Sequence, residues 1–139
     1  MNELDVTRRA LFGLLLMGFA GTLAELLLAG HTEDAFQWVP IVLLAAGLVA
    51  LPLAAWRPRV PLRLFQYLMV VFVASGIIGL WQHYGAKQEF ALERQPDMSG
   101  LALFRESLEG SSPPLLAPGT MVALGLLGIT WSYRKGVTP

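Results

Sequence analysis

Three side chains in an otherwise apolar sequence could carry chemistry: Glu25, His31 and His83. Imidazole titrates near neutral pH, and imidazole and carboxylate groups are both ligands for zinc, copper and iron. His31 is followed closely by Glu33 and Asp34, which form an acidic turn. The sequence therefore offers two candidate sites: a proton- or ligand-binding site formed by Glu25 with the histidines, and a metal site formed by the histidines with the acidic turn.

The metal alternative has little support from motif spacing. The chain has no cysteine, which excludes Cys-ligated zinc, iron–sulfur clusters and thiol redox chemistry. No HxxxH or HExxH spacing is present, so a metal or haem site would need ligands from separate helices. No cofactor is predicted. A quinone pocket near Trp81, His83 and Tyr84 is a further, generic alternative.

Glu25 and His83 each follow two glycines at positions that share one helix face. Gly18, Gly21 and Glu25 stand at i, i+3 and i+7. The same spacing occurs in Gly76, Gly79 and His83. Small residues let a second helix approach, so both polar side chains are expected at helix–helix contacts, where they could form a hydrogen-bonded pair. The alternative for Glu25 is a structural carboxylate that reaches the headgroup layer or a neighbouring polar group.

Four apolar segments must position these side chains. They cover about residues 10–30, 38–56, 64–84 and 115–133. Each is close to the ~20 residues that an α-helix needs to cross a hydrocarbon core. A helix satisfies its own backbone hydrogen bonds, which lipid cannot do. The predicted fold is therefore all-α, a four-helix transmembrane bundle that occupies the whole chain as one integral membrane domain.

Residues 85–114 are predicted to be a short amphipathic or irregular extracytoplasmic segment between the third and fourth spans. Part of this segment should be helical, because Ser99 can cap a run in which Leu101, Phe104 and Leu108 share one face. Such a helix would lie on the membrane surface or cover the outer end of the bundle. Two prolines stiffen the short loop between the second and third spans, which predicts an antiparallel pair there.

Composition supports the membrane assignment. Hydrophobic residues make up 55% of the 139-residue chain and charged residues only 14%, and the mean hydropathy is +0.56. A soluble domain carries about 25% charged residues. Aromatic residues near the segment ends are typical of interface anchors. They are Trp38, Trp56, Trp81, Tyr84, Trp131 and Tyr133.

The charges predict the orientation. On one side of the four segments lie seven basic and two acidic residues, and on the other side three basic and seven acidic residues. The seven basic residues are Arg8, Arg9, Arg57, Arg59, Arg63, Arg134 and Lys135. The positive-inside rule then places both termini in the cytoplasm and segment 85–114 outside. We expect a multi-pass protein of a bacterial inner membrane, a source that the Ala-, Leu-, Gly- and Arg-rich composition also suggests.

The N-terminus also contains Arg8-Arg9 ahead of an apolar run, as an export signal does. The apolar run is about 21 residues long, whereas the core of a cleaved signal has ~7–15. No A-x-A cleavage site follows it. A retained first helix is therefore expected.

Four segments with one glutamate in the first superficially resemble the small multidrug resistance transporters. Those chains have little charge bias and insert in both orientations, whereas this chain is strongly biased. Four-helix quinone-linked oxidoreductases of the vitamin K epoxide reductase type need cysteines, which are absent here. Neither resemblance carries a function across.

The function that the sequence favours is non-enzymatic. No catalytic motif is present, and no basic, aromatic-laced patch points to nucleic acid. The leading hypothesis is a structural or accessory component that contacts the lipid bilayer and associates with itself or with a larger membrane complex. The alternatives are a small transporter or ligand-binding protein that uses Glu25 and His83, and a metal- or haem-binding redox accessory.

Overall fold

The computed structural model describes residues 3–56, 60–109 and 116–133, and these form helices joined by turns, with no strand among them. Five helices follow one another: α1 (Glu3–Leu28), α2 (Ala35–Trp56), α3 (Val60–Arg94), α4 (Gly100–Glu109) and α5 (Leu116–Ser132). Helices α1, α2 and α3 are each long and apolar enough to cross a membrane. Helix α5 is also apolar but has 17 residues.

Four of the helices pack in a ring, and the fifth lies on one of them. Helix α1 contacts α2 and α5, and α3 contacts the same two helices from the opposite side. The α3–α5 contact is the most extensive, and α4 packs on α3. The sequence-based prediction that the second and third apolar segments are neighbours agrees with the α2–α3 contact. Residues 57–59, which contain most of the proline-stiffened loop, lie outside the described residues.

The core is built from large apolar and aromatic side chains in the middle of the ring. Phe19 of α1 and Phe72 of α3 are fully buried, and their ring centroids lie 5.3 Å apart. At the end of the ring near the N-terminus of α3, Trp131 lies 5.4 Å from Phe65 and 6.0 Å from Phe12, centroid to centroid. The prediction that Trp131 is an interface anchor was therefore wrong: its side chain is 3% exposed, because it fills the space between two aromatic rings.

Glycines permit the close α3–α5 contact. A Cβ atom added to Gly76 would lie 2.7 Å from the backbone oxygen of Pro118, and one added to Gly125 would lie 2.8 Å from the backbone oxygen of Met69. At each contact a glycine on one helix thus lies against the backbone of the other helix, as small-residue faces allow. The predicted role of Gly76 as part of a helix-contact face is borne out by this geometry.

The connection between α1 and α2 is fixed by two capping motifs. Gly30 has φ +67°, the N–H of His31 donates to the carbonyl oxygen of Leu26 at 3.0 Å, and the N–H of Gly30 donates to that of Leu27 at 3.2 Å. This is the Schellman arrangement, which closes a helix with a left-handed residue. Asp34 then begins α2, since its Oδ1 accepts hydrogen bonds from the backbone N–H groups of Phe36 and Gln37, at 2.7 and 3.1 Å.

Gly30→Ala is expected to lower the free energy of unfolding by about 1–2 kcal/mol, because an alanine at positive φ places its Cβ against the backbone. Gly85→Ala is the matched control. Gly85 lies inside α3 with open space around it, so alanine should be neutral or stabilising there. Denaturation of both variants in mixed micelles measures the difference, and equal stabilities would contradict the turn geometry.

Helix α3 is longer than the sequence predicts. The third span was expected to end near residue 84, but the helix continues for ten more residues to Arg94. The helix and the predicted apolar span have different ends because polar residues after Tyr84 continue a helix as readily as apolar ones do. The helix ends just before Pro96, which lacks the backbone N–H that a helix interior requires.

Helix α4 confirms the predicted helix within segment 85–114. Its exposed apolar side chains do not fit the alternative in which this helix covers the outer end of the bundle. Ser107 is 1% exposed, whereas Leu101, Phe104 and Leu108 are 80%, 48% and 47% exposed. The apolar stripe of α4 thus stays about half exposed or more, although Phe104 also contacts Tyr84 of α3. This orientation suits a helix that lies on an apolar surface outside the molecule.

Candidate ligand-binding cleft

A cleft of about 380 Å³ lies at one end of the helix ring, and both histidines of the protein line it. We call it the histidine cleft. Side chains from four helices and from the α1–α2 turn form its walls. They include Leu26, His31, Phe36, Ser75, Ile78, Gly79, Gln82, His83, Pro118 and Met121. All belong to the same end of the ring, where α1 ends, α2 and α5 begin, and α3 continues beyond its middle.

The walls of the histidine cleft are mainly apolar. Two lining side chains that are more than half exposed, Phe36 and Ile78, show that the cleft is open rather than sealed. Met121 is 2% exposed and lies deepest in the packing. An open apolar cleft of this size, with a few polar groups, is the usual form of a small-molecule site, for which volumes of about 300–1,000 Å³ are typical.

His31 is held in the cleft by the Schellman turn. Its backbone is fixed by the hydrogen bond to Leu26, and Leu26 lines the same cleft. The positions joined by this bond commonly make an apolar contact across the helix end. Gly30 therefore both ends α1 and directs the chain so that His31 lies at the cleft.

His83 is held by the contact of α3 with α5. Gly79, one helical turn earlier, packs against the ring of Pro118, where an added Cβ would lie 3.1 Å from the proline Cβ. This close approach brings the α3 surface that carries His83 next to the start of α5. Both Gly79 and Pro118 line the cleft.

The Nδ1 atom of His83 is buried and has no hydrogen-bond partner among the residues that the structure describes. Leaving a buried polar atom unpaired costs about 1–3 kcal/mol, so native proteins rarely do so without a water or ligand nearby. The imidazole of His83 thus has unused hydrogen-bonding capacity in the cleft wall.

Glu25 is not part of the cleft. Its side chain is exposed, three residues before the end of α1, and it is absent from the described cleft lining. Of the two glycines on its face, Gly18 contacts Leu124 of α5, but Gly21 has nothing within 4 Å. The structure therefore brings His83 together with His31 and does not bring it together with Glu25.

The acidic turn is used for helix capping. Asp34 is the N-cap of α2, and the N–H of Glu33 donates to Oε1 of Gln37 at 2.8 Å. Within the described residues, no group of three or more His, Cys, Asp or Glu side chains is arranged to hold a metal ion. His31 and His83 are the two weak metal candidates that lie together.

Ser75 and Gln82 are cleft residues that sequence reasoning missed. A usable signal existed for Gln82, which is a polar residue beside His83 near the end of an apolar segment. Two residues of the suggested quinone pocket, by contrast, do not line the cleft. Trp81 is 77% exposed and does not line the cleft, and Tyr84 lies against Phe104, with ring centroids 6.1 Å apart.

Comparison of the chain with models of protein families, with curated proteins and with solved structures finds no match to any of them.

Proposed function

We propose that this protein crosses a membrane four times and binds a small amphipathic molecule in the histidine cleft. The observation that carries the proposal is the open, mainly apolar cleft of about 380 Å³ with both histidines in its wall. A molecule with an apolar body would be concentrated in the bilayer and would enter the cleft from there.

Four crossings are supported by helix length and packing. Helices α1, α2 and α3 are long enough on their own. Helix α5 has 17 residues, at the lower end of the ~17–25 that a span requires, and it is packed against α3 along much of its length. An apolar helix packed against α3 and α1 would cross the bilayer with them.

The charge bias supports an extracytoplasmic cleft. With the basic termini and the 57–63 loop in the cytoplasm of a bacterial inner-membrane protein, the ends of α1 and the starts of α2 and α5 face outward. The histidine cleft lies at those ends, close to the headgroup layer. Helix α4, whose apolar stripe is exposed, would then lie on the outer surface of the same membrane.

Photolabelling in lipid nanodiscs tests ligand binding. A probe with a chain of about twelve carbons and a diazirine near its end should label Met121, which lipid chains cannot reach unless they enter the cleft. It should also label Val49, which is 62% exposed on α2 and lies outside the cleft. An excess of unlabelled amphipath should suppress labelling of Met121 by about tenfold and leave Val49 labelled, because a bulk lipid surface does not saturate.

Ser75→Phe provides a test by filling the cleft. Phenylalanine at this lining position should abolish the competed labelling at Met121. Ala45→Phe is the matched control, because Ala45 is exposed on α2 and does not line the cleft. The proposal fails if Met121 is unlabelled in the native protein, or if its labelling survives both the competitor and Ser75→Phe.

Association with another membrane protein is a second candidate function, favoured by the exposed face of α1. Gly21 and Glu25 lie there one turn apart, and Met17 is 74% exposed one turn earlier. A carboxylate that faces lipid costs about 2.5–3.5 kcal/mol at the centre of a bilayer and less near its edge, so a partner helix with a polar group would stabilise this face. Gly21→Cys dimers cross-linked in the native membrane would indicate self-association, and co-purification would indicate a larger complex.

A further inference from the structure

Resting on the proposed function, we infer that the histidine cleft selects amphipathic molecules whose polar end is a hydrogen-bond-accepting oxygen, either a carboxylate or a quinone-type carbonyl, held by His83 and His31. A long-chain fatty acid and a lipid-soluble quinone are the two sources of this chemistry. The inference concerns the polar end of the ligand, whereas the proposed function concerns only its apolar body.

The polar groups in the cleft wall are rich in N–H donors. A neutral imidazole offers one N–H, a protonated imidazole offers two, and the amide of Gln82 offers two more. The described lining contains no carboxylate that could balance a cationic ligand. The cleft therefore favours an oxygen acceptor or an anion over an ammonium group.

The unpaired Nδ1 of His83 indicates where the oxygen binds. This atom is buried and lacks a partner among the described residues, although His83 belongs to the cleft wall. With the proton on Nδ1, this imidazole would donate to a ligand oxygen that reached the atom, which would remove the cost of leaving it unpaired. The apolar lining, including Leu26, Phe36 and Met121, would contact the body of the same ligand.

The hydrogen-bond donors are also placed where they could together bind the polar end of one ligand. His31 comes from the α1–α2 turn, while Gln82 and His83 are consecutive on α3, so groups from separate elements converge on one cleft. Ser75 lies two turns earlier on α3, deeper along the same wall. Hydrogen-bonding groups are thus concentrated toward the end of the ring, and an amphipath would bind with its polar end there and its chain directed inward.

Competition among ligands with matched chains tests the inference. The probe bound at Met121 is displaced with dodecanoic acid, with a decyl-substituted benzoquinone, or with dodecylamine. We expect the acid, the quinone or both to displace it at concentrations at least tenfold lower than the amine does. A lower concentration for the acid identifies a carboxylate ligand, and a lower concentration for the quinone identifies a carbonyl ligand.

Variants at His83 test whether its imidazole causes the preference for the acid or the quinone over the amine. His83→Phe should raise the displacing concentration of the preferred ligand about tenfold and leave that of dodecylamine unchanged. His83→Gln keeps an N–H donor at this position and should retain part of the preference, which separates a lost hydrogen bond from a damaged cleft. Glu25→Gln, outside the cleft, should leave the preference as it is.

The failures of the two proposals can be told apart. If all three ligands displace the probe equally, or if His83→Phe keeps the full preference, the inference about the polar end is wrong and the cleft still binds apolar chains. If none of them displaces the probe from Met121, both the inference and the proposed function are wrong.

Discussion

Gly125→Ala is expected to destabilise the protein by about 1–3 kcal/mol, the usual cost of adding a methyl group to a packed contact that cannot open. The added Cβ would lie 2.7 Å from Cγ2 of Val73 and 2.8 Å from the backbone oxygen of Met69. A side chain can turn away, but the backbone of α3 cannot move without separating the two helices. Gly76→Ala, the reciprocal change on α3, should have a similar effect for the same reason.

Gly119→Ala is the matched control for Gly125→Ala. Gly119 lies on the same helix, α5, and nothing is within 4 Å of the position where its Cβ would lie. Alanine should therefore be neutral or stabilising by a few tenths of a kcal/mol to about 1 kcal/mol, since it is the better helix former. Unfolding of the purified variants in mixed micelles gives the three free energies. If Gly125→Ala, Gly119→Ala and the native protein have equal free energies of unfolding, α3 and α5 do not touch through their backbones.

The α3–α5 contact matters for the cleft as well as for stability. Gly79 and Pro118 belong both to this contact and to the cleft wall. A change that separates the helices at Gly125 should therefore also reduce competed labelling of Met121, whereas Gly119→Ala should not. The fold and the candidate site depend on the same small residues.

Sequence reasoning could predict the apolar helices because their physical cause is local. A run of apolar residues favours transfer into lipid whatever the rest of the chain does. The structure has helices over each of the four predicted segments. The spacing of Gly76 and Gly79 also predicted a helix-contact face, since small residues are useful where another helix approaches. The limits of α3 could not be predicted in this way, because a helix continues past the end of its apolar run when nothing stops it before Pro96.

The composition of the site could be predicted only in part. Glu25 and His83 have equivalent positions relative to their glycines, yet His83 lies in the cleft wall and Glu25 is exposed. The difference comes from how α1 is rotated within the ring, which depends on side chains of other helices such as Leu124 at Gly18. Spacing within one segment contains no information on that rotation. Trp131 was misassigned for the same reason, since its partners Phe12 and Phe65 come from distant parts of the chain.

The central claim is that four crossings place the histidine cleft on the outer side of the membrane. The chain has no cysteine, so single cysteines can be introduced as reporters without first replacing native ones. Ser99 lies in the exposed turn between α3 and α4, and Thr7 is exposed near the start of α1. Thr138 stands after α5 in the sequence. Three crossings and four crossings differ in the side of the membrane on which residue 138 lies.

Labelling of these cysteines with a membrane-impermeant maleimide in spheroplasts is the most direct test. The account predicts that Ser99→Cys is labelled in intact spheroplasts, and that Thr7→Cys and Thr138→Cys are labelled only after the membrane is permeabilised. Labelling of Thr138→Cys together with Ser99→Cys in intact spheroplasts would show that α5 does not cross. Labelling of Thr7→Cys and protection of Ser99→Cys would place the histidine cleft on the cytoplasmic side, and either result would contradict the account.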